Sequence, residues 1–309
     1  MLIIENPYTN PYTNIALEEY YLKQKQEEIF MLWRNDKSII IGKHQNAYSE
    51  INFRFVRENK IPVIRRLSGG GAVFHDLGNL NFTFISKTEK EKKVDFRKYT
   101  NPVLDVLKNS GISAYFEGKS NLRIDGLKFS GNAEHVYKDM VLHHGTLLFQ
   151  ANLENLNSAL KNNNSINSGR AIKSDKTYVT NLSEYITERK FVELLKDRVS
   201  KLYCSSVDYR ISDEDLKGAE KLAENKYKNF DWNYGYSPPY ELIVNRNNNK
   251  IRLKVRNGII EEADVFLLGC SDENLGGFLL GKKHCYSQIE LYLQEFNYNS
   301  NDFDVFDFF

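Results

Sequence analysis

Apolar and polar residues alternate along this chain with two different periods, which together predict both strands and helices. Short runs rich in β-branched and aromatic residues, bounded by turn residues, predict strands at 29–33, 38–41, 61–66, 72–75, 81–85 and 141–149. Apolar residues at helical spacing predict helices at 14–25, 94–108, 190–202 and 213–226, with Asn14 as the N-cap of the first. Helices interleaved with mixed strands and hairpins are typical of an α+β fold.

Two short dipeptides predict tight β-hairpins in different parts of the chain. Asp125-Gly126 and Asn257-Gly258 each separate two short apolar runs. Both dipeptides suit a type I′ turn, because their residues adopt positive φ at little cost. The sequence therefore predicts one hairpin near the middle of the chain and one near its C-terminal end.

A change of composition at 231–239 predicts a boundary between two domains. This segment ends in glycine, serine and two adjacent prolines, which predict a stiff and extended connector. We therefore divide the chain into a larger domain, residues 1–235, and a small α+β module, residues 240–309. Strands, a hairpin and two short helices are predicted in the smaller module.

Composition and charge exclude several classes of protein. The formal net charge is +1, so a nucleic-acid partner is not expected. Cys204, Cys270 and Cys285 are far apart, which argues against a disulfide framework or a zinc site. No apolar run approaches the length of a membrane span, and the N-terminus does not read as a signal peptide. We expect a cytoplasmic protein without a membrane partner.

The most informative motif is a glycine run that follows two arginines. Residues 65–76 read Arg-Arg-Leu-Ser-Gly-Gly-Gly-Ala-Val-Phe-His-Asp. Glycine leaves the backbone bare, so a ligand can approach it closely. The neighbouring arginines supply fixed positive charge for a carboxylate or a phosphate. A plain glycine-rich bend between two strands is the alternative interpretation of this motif alone.

Two further motifs favour the binding interpretation. Lys-Phe-Ser-Gly-Asn-Ala occupies 128–133, and His-His-Gly-Thr-Leu-Leu occupies 143–148. With the glycine motif, they make the chain similar to the lipoate–protein ligases of the biotin/lipoate ligase superfamily, the bacterial type with a C-terminal accessory domain. This resemblance implies a catalytic domain built on a mixed β-sheet flanked by helices, in residues 1–235, and an accessory domain in residues 240–309.

The resemblance also implies a reaction and its partners. Members of this family activate lipoate with Mg-ATP to form lipoyl-AMP, and then transfer the lipoyl group to a lysine of an acceptor. We expect ATP and Mg²⁺ to be required. The expected acceptors are lipoyl domains of 2-oxoacid dehydrogenase E2 subunits or the glycine cleavage H protein.

The resemblance assigns roles to particular residues. Lys128 matches the catalytic lysine, and Arg66 matches an arginine that contacts the adenylate. Further contacts to lipoate or the adenylate are expected from Ser68, Gly70, Gly71, Ala72, His75, Asp76, Asn79, Ser130, Gly131, Ala133, His144 and Gly145. Asp76 has two open roles, as a metal or ribose partner or as a turn cap. Arg65 also has two, as a ligand contact or in an ion pair with a surface acid.

One departure from the family pattern leaves alternatives open. Asn121 replaces the acidic residue expected to hold Mg²⁺, so we expect weak metal binding that depends on the ATP phosphates. An ATP-independent octanoyl or lipoyl transferase on the same fold is one alternative. A thioester mechanism is disfavoured because no cysteine precedes Cys204. A degenerate, non-catalytic protein that binds lipoate or lipoyl domains is the other alternative.

Overall fold

The computed structural model describes residues 1–25, 27–88, 94–160, 165–167, 169, 171–174, 177–246, 248–295 and 304–309. The strands are β1 (Leu2–Glu5), β2 (Ile29–Trp33), β3 (Ser38–Ile41), β4 (Val63–Arg65), β5 (Val73–His75), β6 (Asn79–Lys87), β7 (Ala114–Glu117), β8 (Asn121–Ile124), β9 (Leu127–Tyr137), β10 (Met140–Leu148), β11 (Ile166–Asn167), β12 (Val207–Asp208), β13 (Tyr240–Arg246), β14 (Asn249–Arg256), β15 (Ile259–Leu267) and β16 (Cys270–Ser271). The α-helices are α1 (Pro11–Tyr20), α2 (Ala47–Glu50), α3 (Phe53–Glu58), α4 (Phe96–Asn109), α5 (Leu153–Ala159), α6 (Glu188–Leu202), α7 (Asp213–Leu222), α8 (Glu273–Leu279) and α9 (Tyr286–Glu295).

The largest sheet has eight strands in the order β12-β1-β2-β6-β10-β9-β8-β7. Its centre is antiparallel, whereas β1 pairs in parallel with β2 and β12. Apolar side chains of α4 and α6 form one buried cluster with this sheet, and those of α1 and α7 form another. The predicted α+β fold, a mixed sheet flanked by helices, is therefore confirmed.

Two smaller sheets share a third apolar cluster. One has the order β4-β3-β5, and the other, β11-β13-β14-β15-β16, contains the strands of the C-terminal module. Ile39 of the first and Leu253 of the second belong to the same buried cluster, which also includes Phe308 near the C-terminus. Strand β11 joins the C-terminal sheet although it comes from residues 166–167. The division of the chain at 235–240 remains a prediction.

Both predicted hairpins are confirmed, with positive φ at their turn residues. Asp125 and Gly126 have φ of 51° and 80°, and Asn257 and Gly258 have φ of 50° and 73°. These values match the type I′ geometry that the dipeptides favour.

Two local predictions were wrong. Helix α1 begins at Pro11, and its cap is Asn10, whose side chain accepts from the backbone N–H of Tyr12 and Thr13. Proline suits the first helical turn because it lacks an N–H there, so the helix starts before the predicted cap, Asn14. The connector is not fully extended either, since Asp231–Gly235 forms a π-helical turn. No helix among the described residues is long and apolar enough to cross a membrane.

Candidate active site

Two cavities lie beside one another against the central sheet. The first, of about 730 Å³, runs over strands β2, β6, β10, β9 and β8, and we call it the cross-sheet cavity. The second, of about 1010 Å³, reaches helix α5, and we call it the α5 cavity. Lys128, Gly131 and Thr146 line both cavities. The two cavities therefore meet at this point of the sheet.

The strand register shows how far the cross-sheet cavity extends across the sheet. Trp33 pairs with Asn81, and Asn81 pairs with Thr146. The Thr146 hydroxyl accepts a hydrogen bond of 3.1 Å from the Gly131 N–H. Neighbouring strands are about 4.8 Å apart, so Gly131 and Trp33 are separated by three spacings, or about 14 Å. The cavity is an elongated groove with Trp33 at its far end.

Lys128 lies at the junction of the two cavities. Its backbone N–H donates to Tyr178 O at 2.9 Å and its carbonyl accepts from Thr180 N–H at 3.1 Å. Its side chain lies against Gly131, because a Cβ built on that glycine would be 3.2 Å from Lys128 Nζ. Gly131 thus leaves room for the lysine side chain, and Lys128 and Leu127 are held by their pairing with Arg123 and Ile124 of β8.

Arg66 shapes the glycine loop, residues 66–72 between β4 and β5. Its guanidinium donates to Ser68 Oγ at 2.9 Å, to Gly69 O at 2.6 Å and to Gly71 O at 2.8 Å. Burial lowers the pKa of Arg66 to about 10. Arg66 lines the cross-sheet cavity, but in this structure most of its donors hold the loop itself.

A chain of hydrogen bonds runs behind the glycine loop. Ser68 Oγ lies 2.6 Å from His144 Nε2, and His144 Nδ1 lies 3.0 Å from both carboxylate oxygens of Glu18. Glu18 also accepts from the Thr83 hydroxyl at 2.6 Å, and Thr83 accepts from Trp33 Nε1 at 2.8 Å. This chain connects the glycine loop to the far end of the cavity. Ser68 is buried and accepts from Arg66, so its hydroxyl is held within the loop.

His75 and Asp76 are adjacent in the chain but have different surroundings. His75 lines the cross-sheet cavity near Trp33, with ring centroids 5.9 Å apart, and burial lowers its pKa to about 3. Asp76 accepts from the N–H groups of Gly78 at 2.9 Å and Asn152 at 2.8 Å. Of its two open roles, the structure therefore places Asp76 as a turn cap.

The other predicted site residues divide between the two cavities. Those that line the cross-sheet cavity are Gly70, Gly71, Ala72, Asn121, Ala133, His144 and Gly145. Asn79 and Ser130 line the α5 cavity, which Ala72 also reaches. Ser68 lines neither cavity and acts on the site through Arg66 and His144.

Arg65 is fully buried and contacts no carboxylate among the described residues. Its guanidinium donates to the carbonyls of Gly42 and Gln45 on one side and to Asn233 O and Ser237 Oγ on the other. Both predicted roles for Arg65 are therefore wrong, because its donors are used to join two backbone segments.

Sequence reasoning missed several residues of the site. Glu18, Trp33 and Asn81 are not among the predicted site residues, although Glu18 lies in Asn-Ile-Ala-Leu-Glu-Glu, residues 14–19, a shorter segment that also resembles the family. A buried carboxylate on a helix cannot be told from an exposed one by sequence. The alternation of Asn79, Asn81 and Thr83 on one strand was the available signal, since residues two apart share a face.

Comparison with known proteins identifies the family. The sequence model of the lipoyl protein ligase A/B catalytic domain matches residues 10–203. The chain is 36% identical to lipoate-protein ligase LplJ of Bacillus subtilis, over 96% of this chain and 95% of that protein. The chain belongs to the lipoate–protein ligase family.

Solved structures of ligases have the same fold. The chain is similar to LipL1 of P. falciparum, crystallised with lipoate, with a TM-score of 0.66, 29% identity and coverage of 97% of this chain and 96% of that one. It is also similar to a lipoate-protein ligase A bound with ATP, with a TM-score of 0.64, 26% identity and coverage of 76% and 98%. The family membership predicted from the motifs is confirmed.

Proposed function

We propose that this chain is an ATP-dependent lipoate–protein ligase, which forms lipoyl-AMP and transfers the lipoyl group to a lysine of a lipoyl domain. The observation that carries the proposal is the position of Lys128 where the two cavities meet. An acyl-adenylate has the same layout, with a long acyl chain and a nucleotide joined at one phosphate. Family membership, and relatives described with lipoate or with ATP, support the same assignment.

The cross-sheet cavity suits the acid. It is elongated, and Ile15, Trp33 and Ile40 give it apolar walls. The α5 cavity suits the nucleotide, because Leu153 and Leu156 offer apolar surface. Asn79 lines the same cavity, and its buried Oδ1 has no hydrogen-bond partner among the described residues. Asn79 Nδ2 donates to Asn81 Oδ1 at 2.9 Å, so this buried amide pair lies between the two cavities.

Lys128 has a role in both steps of the proposed reaction. A lipoate oxygen attacks the α-phosphorus of ATP, the bond to the bridging oxygen breaks, and pyrophosphate leaves. The acceptor amine then attacks the acyl carbon, loses a proton, and AMP leaves. Negative charge builds up on phosphate oxygens in the first step and on the acyl oxygen in the second. A cation held at the junction stabilises both without reorganisation.

Magnesium is expected from the resemblance. The described residues contain no group of three or more His, Cys, Asp or Glu side chains arranged to hold a metal ion. Glu117 lies opposite Asn121 in the β7–β8 ladder, and both line the cross-sheet cavity, with Glu117 also paired to Arg123. One carboxylate and one amide oxygen fit a magnesium ion that phosphates and water mainly coordinate. Glu117 and Asn121 would hold it, and it would neutralise phosphate charge.

The acceptor is proposed to be a small lipoyl domain, from an E2 subunit or the glycine cleavage H protein.

Among the alternatives, a cysteine-dependent transferase has no support from the geometry. Cys204, Cys270 and Cys285 line neither cavity. A cytoplasmic location stays a prediction.

One assay distinguishes these functions. The purified chain is mixed with lipoate, Mg-ATP and an apo lipoyl domain, and pyrophosphate release and the mass of the domain are measured. A lipoyl mass gain that requires ATP supports the ligase. A gain from an octanoyl or lipoyl carrier thioester without ATP would favour the transferase, and no gain under either condition would favour the non-catalytic binder.

A further inference from the structure

The Glu50 carboxylate is buried beside the α5 cavity and accepts two hydrogen bonds from Ser174. Glu50 belongs to helix α2, is 2% exposed and lines that cavity. Its Oε2 accepts from the Ser174 N–H at 3.0 Å and from the Ser174 hydroxyl at 2.5 Å. Burying a carboxylate is costly unless donors replace its water, and a hydroxyl at this distance is a strong donor. Glu50 and Ser174 therefore hold each other in place.

The Ser174 hydroxyl joins three segments of the chain. The Gly42 N–H donates to Gln45 Oε1 at 2.9 Å, which orients the Gln45 amide so that its Nε2 donates to Ser174 Oγ at 3.1 Å. The Ala72 N–H donates to the same oxygen at 2.9 Å. Because two donors use the lone pairs of this oxygen, its single proton goes to Glu50. All hydrogen-bonding positions of the hydroxyl are occupied, so it fixes the segments around it.

This hydroxyl lies where the two cavities meet. Ser174 and Ala72 line both cavities, as Lys128 does. A Cβ built on Gly71 would be 3.0 Å from Ser174 Oγ, so the glycine loop packs directly on segment 171–174. The loop and the segment therefore form one wall of the junction, and the hydrogen bonds of Ser174 hold the two parts of that wall together.

The wall matters most once an adenylate has formed. Within the proposed function, on which this inference rests, the acyl carbon of lipoyl-AMP lies at the junction. Water that reaches it adds to the acyl carbon, the bond from that carbon to the phosphate oxygen breaks, and lipoate, AMP and a proton are released. The acceptor amine competes with this side reaction, so a wall that excludes water favours transfer.

We propose that Glu50 and Ser174 are positioning residues, which hold segment 171–174 against the glycine loop and so exclude water from the acyl-adenylate. The carboxylate acts through the Ser174 hydroxyl, and the hydroxyl acts through the backbone of Ala72. A pair that only stabilised the fold would leave the lifetime of the adenylate unchanged.

The test measures how long the adenylate survives on the full chain. With the chain in excess over Mg-ATP, lipoyl-AMP forms in a single turnover, and its conversion to AMP without an acceptor is followed by mass spectrometry. We expect Ser174→Ala to shorten the lifetime about tenfold, the factor by which the loss of one hydrogen bond favours opening of the wall. Glu50→Gln keeps an accepting oxygen but loses the charge, so we expect a shortening of about threefold.

A second measurement separates this role from general damage to the site. The affinity for lipoate, measured by calorimetry without ATP, should stay within about twofold of the wild type in both variants, because the far end of the cross-sheet cavity is unchanged. Ser49→Ala is the matched control. Ser49 is the neighbour of Glu50 on helix α2, is also buried, donates to Asn46 O at 3.0 Å and lines neither cavity. Its loss should lower stability and leave the lifetime unchanged.

The outcomes are separable from those of the proposed function. Wild-type lifetimes in both Ser174→Ala and Glu50→Gln, or an equal shortening in Ser49→Ala, overturn the inference while the proposed function stands. Thermal unfolding identifies a variant that does not fold, and the other variant then decides. A wild type that forms no lipoyl-AMP from lipoate and ATP would overturn the proposed function, and the inference with it.

Discussion

The Glu18 carboxylate holds the His144 imidazole by its Nδ1, 3.0 Å from both carboxylate oxygens. Because Nδ1 contacts only carboxylate oxygens, we assign a proton to Nδ1, which donates to Glu18. On the other side of the ring, His144 Nε2 is hydrogen-bonded to the hydroxyl of Ser68, 2.6 Å away in the glycine loop. One buried carboxylate on helix α1 thus orders a side chain of the cavity wall and the loop beside it.

Replacing Glu18 by glutamine should weaken binding of the acid. Glutamine keeps one oxygen, which can still accept from both His144 and Thr83, but its amide nitrogen takes the place of Glu18 Oε2, 3.0 Å from His144 Nδ1, so that two donors face each other. We expect the KM for lipoate in Glu18→Gln to rise about tenfold and stability to fall by about 1–3 kcal/mol. Steady-state pyrophosphate release and thermal unfolding measure the two effects.

Glu19 provides the matched control on the same helix. It is also buried, but its partners Lys23, Lys226 and Tyr227 line neither cavity, whereas the Glu18 partner His144 does. Glu19→Gln should therefore lower stability while leaving the KM for lipoate near the wild-type value. An equal rise of the KM in both variants would show that the effect of Glu18 is general destabilisation.

His75 should make the protein sensitive to acid. Burial lowers its pKa from 6.5 to about 3, so between these values the unfolded chain binds a proton that the folded chain does not. Stability therefore falls as the pH falls through this window, by roughly 3 kcal/mol at about pH 4.5. Unfolding at neutral and acidic pH should show a smaller loss in His75→Phe. An identical loss in both proteins would contradict the assignment of a neutral, buried ring.

Arg65→Lys should destabilise the fold without changing the chemistry of the site. The guanidinium joins the segment at 42–45 to the connector at 232–237, and lysine has fewer donors and no planar fork. We expect a loss of about 3 kcal/mol by thermal or denaturant unfolding. Arg210→Lys, at an exposed arginine, should change stability by less than about 0.5 kcal/mol. Equal unfolding midpoints for Arg65→Lys and Arg210→Lys would contradict the structural role assigned to Arg65.

The strands and hairpins were largely predictable because their signals are local. Asp125-Gly126 fixes a turn through its own φ values, and alternation marks β6 without any knowledge of its partners. The first helix was misplaced because Asn10 and Asn14 are equally good caps by residue type. Proline at position 11 decides between them, because proline favours the first turn of a helix.

The site was predictable only where a motif carried it. Lys128, Arg66 and the glycines were selected by their resemblance to the family, and the structure places them around one cavity. Arg65 and Arg66 are adjacent and chemically identical, yet the Arg65 side chain is buried in the protein interior and the Arg66 side chain lines the cavity. That division depends on the connector packing over β4, a contact between residues far apart in the chain, which local sequence cannot specify.

The central claim is that Lys128 supplies the cation at which the acid and the nucleotide are joined. Formation of lipoyl-AMP from lipoate and ATP, followed directly by mass spectrometry in a single turnover, tests it. Lys128→Ala should fold with a normal melting temperature and form no detectable adenylate. Lys87→Ala, at an exposed strand lysine away from both cavities, should form it at the wild-type rate. Near-normal adenylate formation by a folded Lys128→Ala variant would contradict the account.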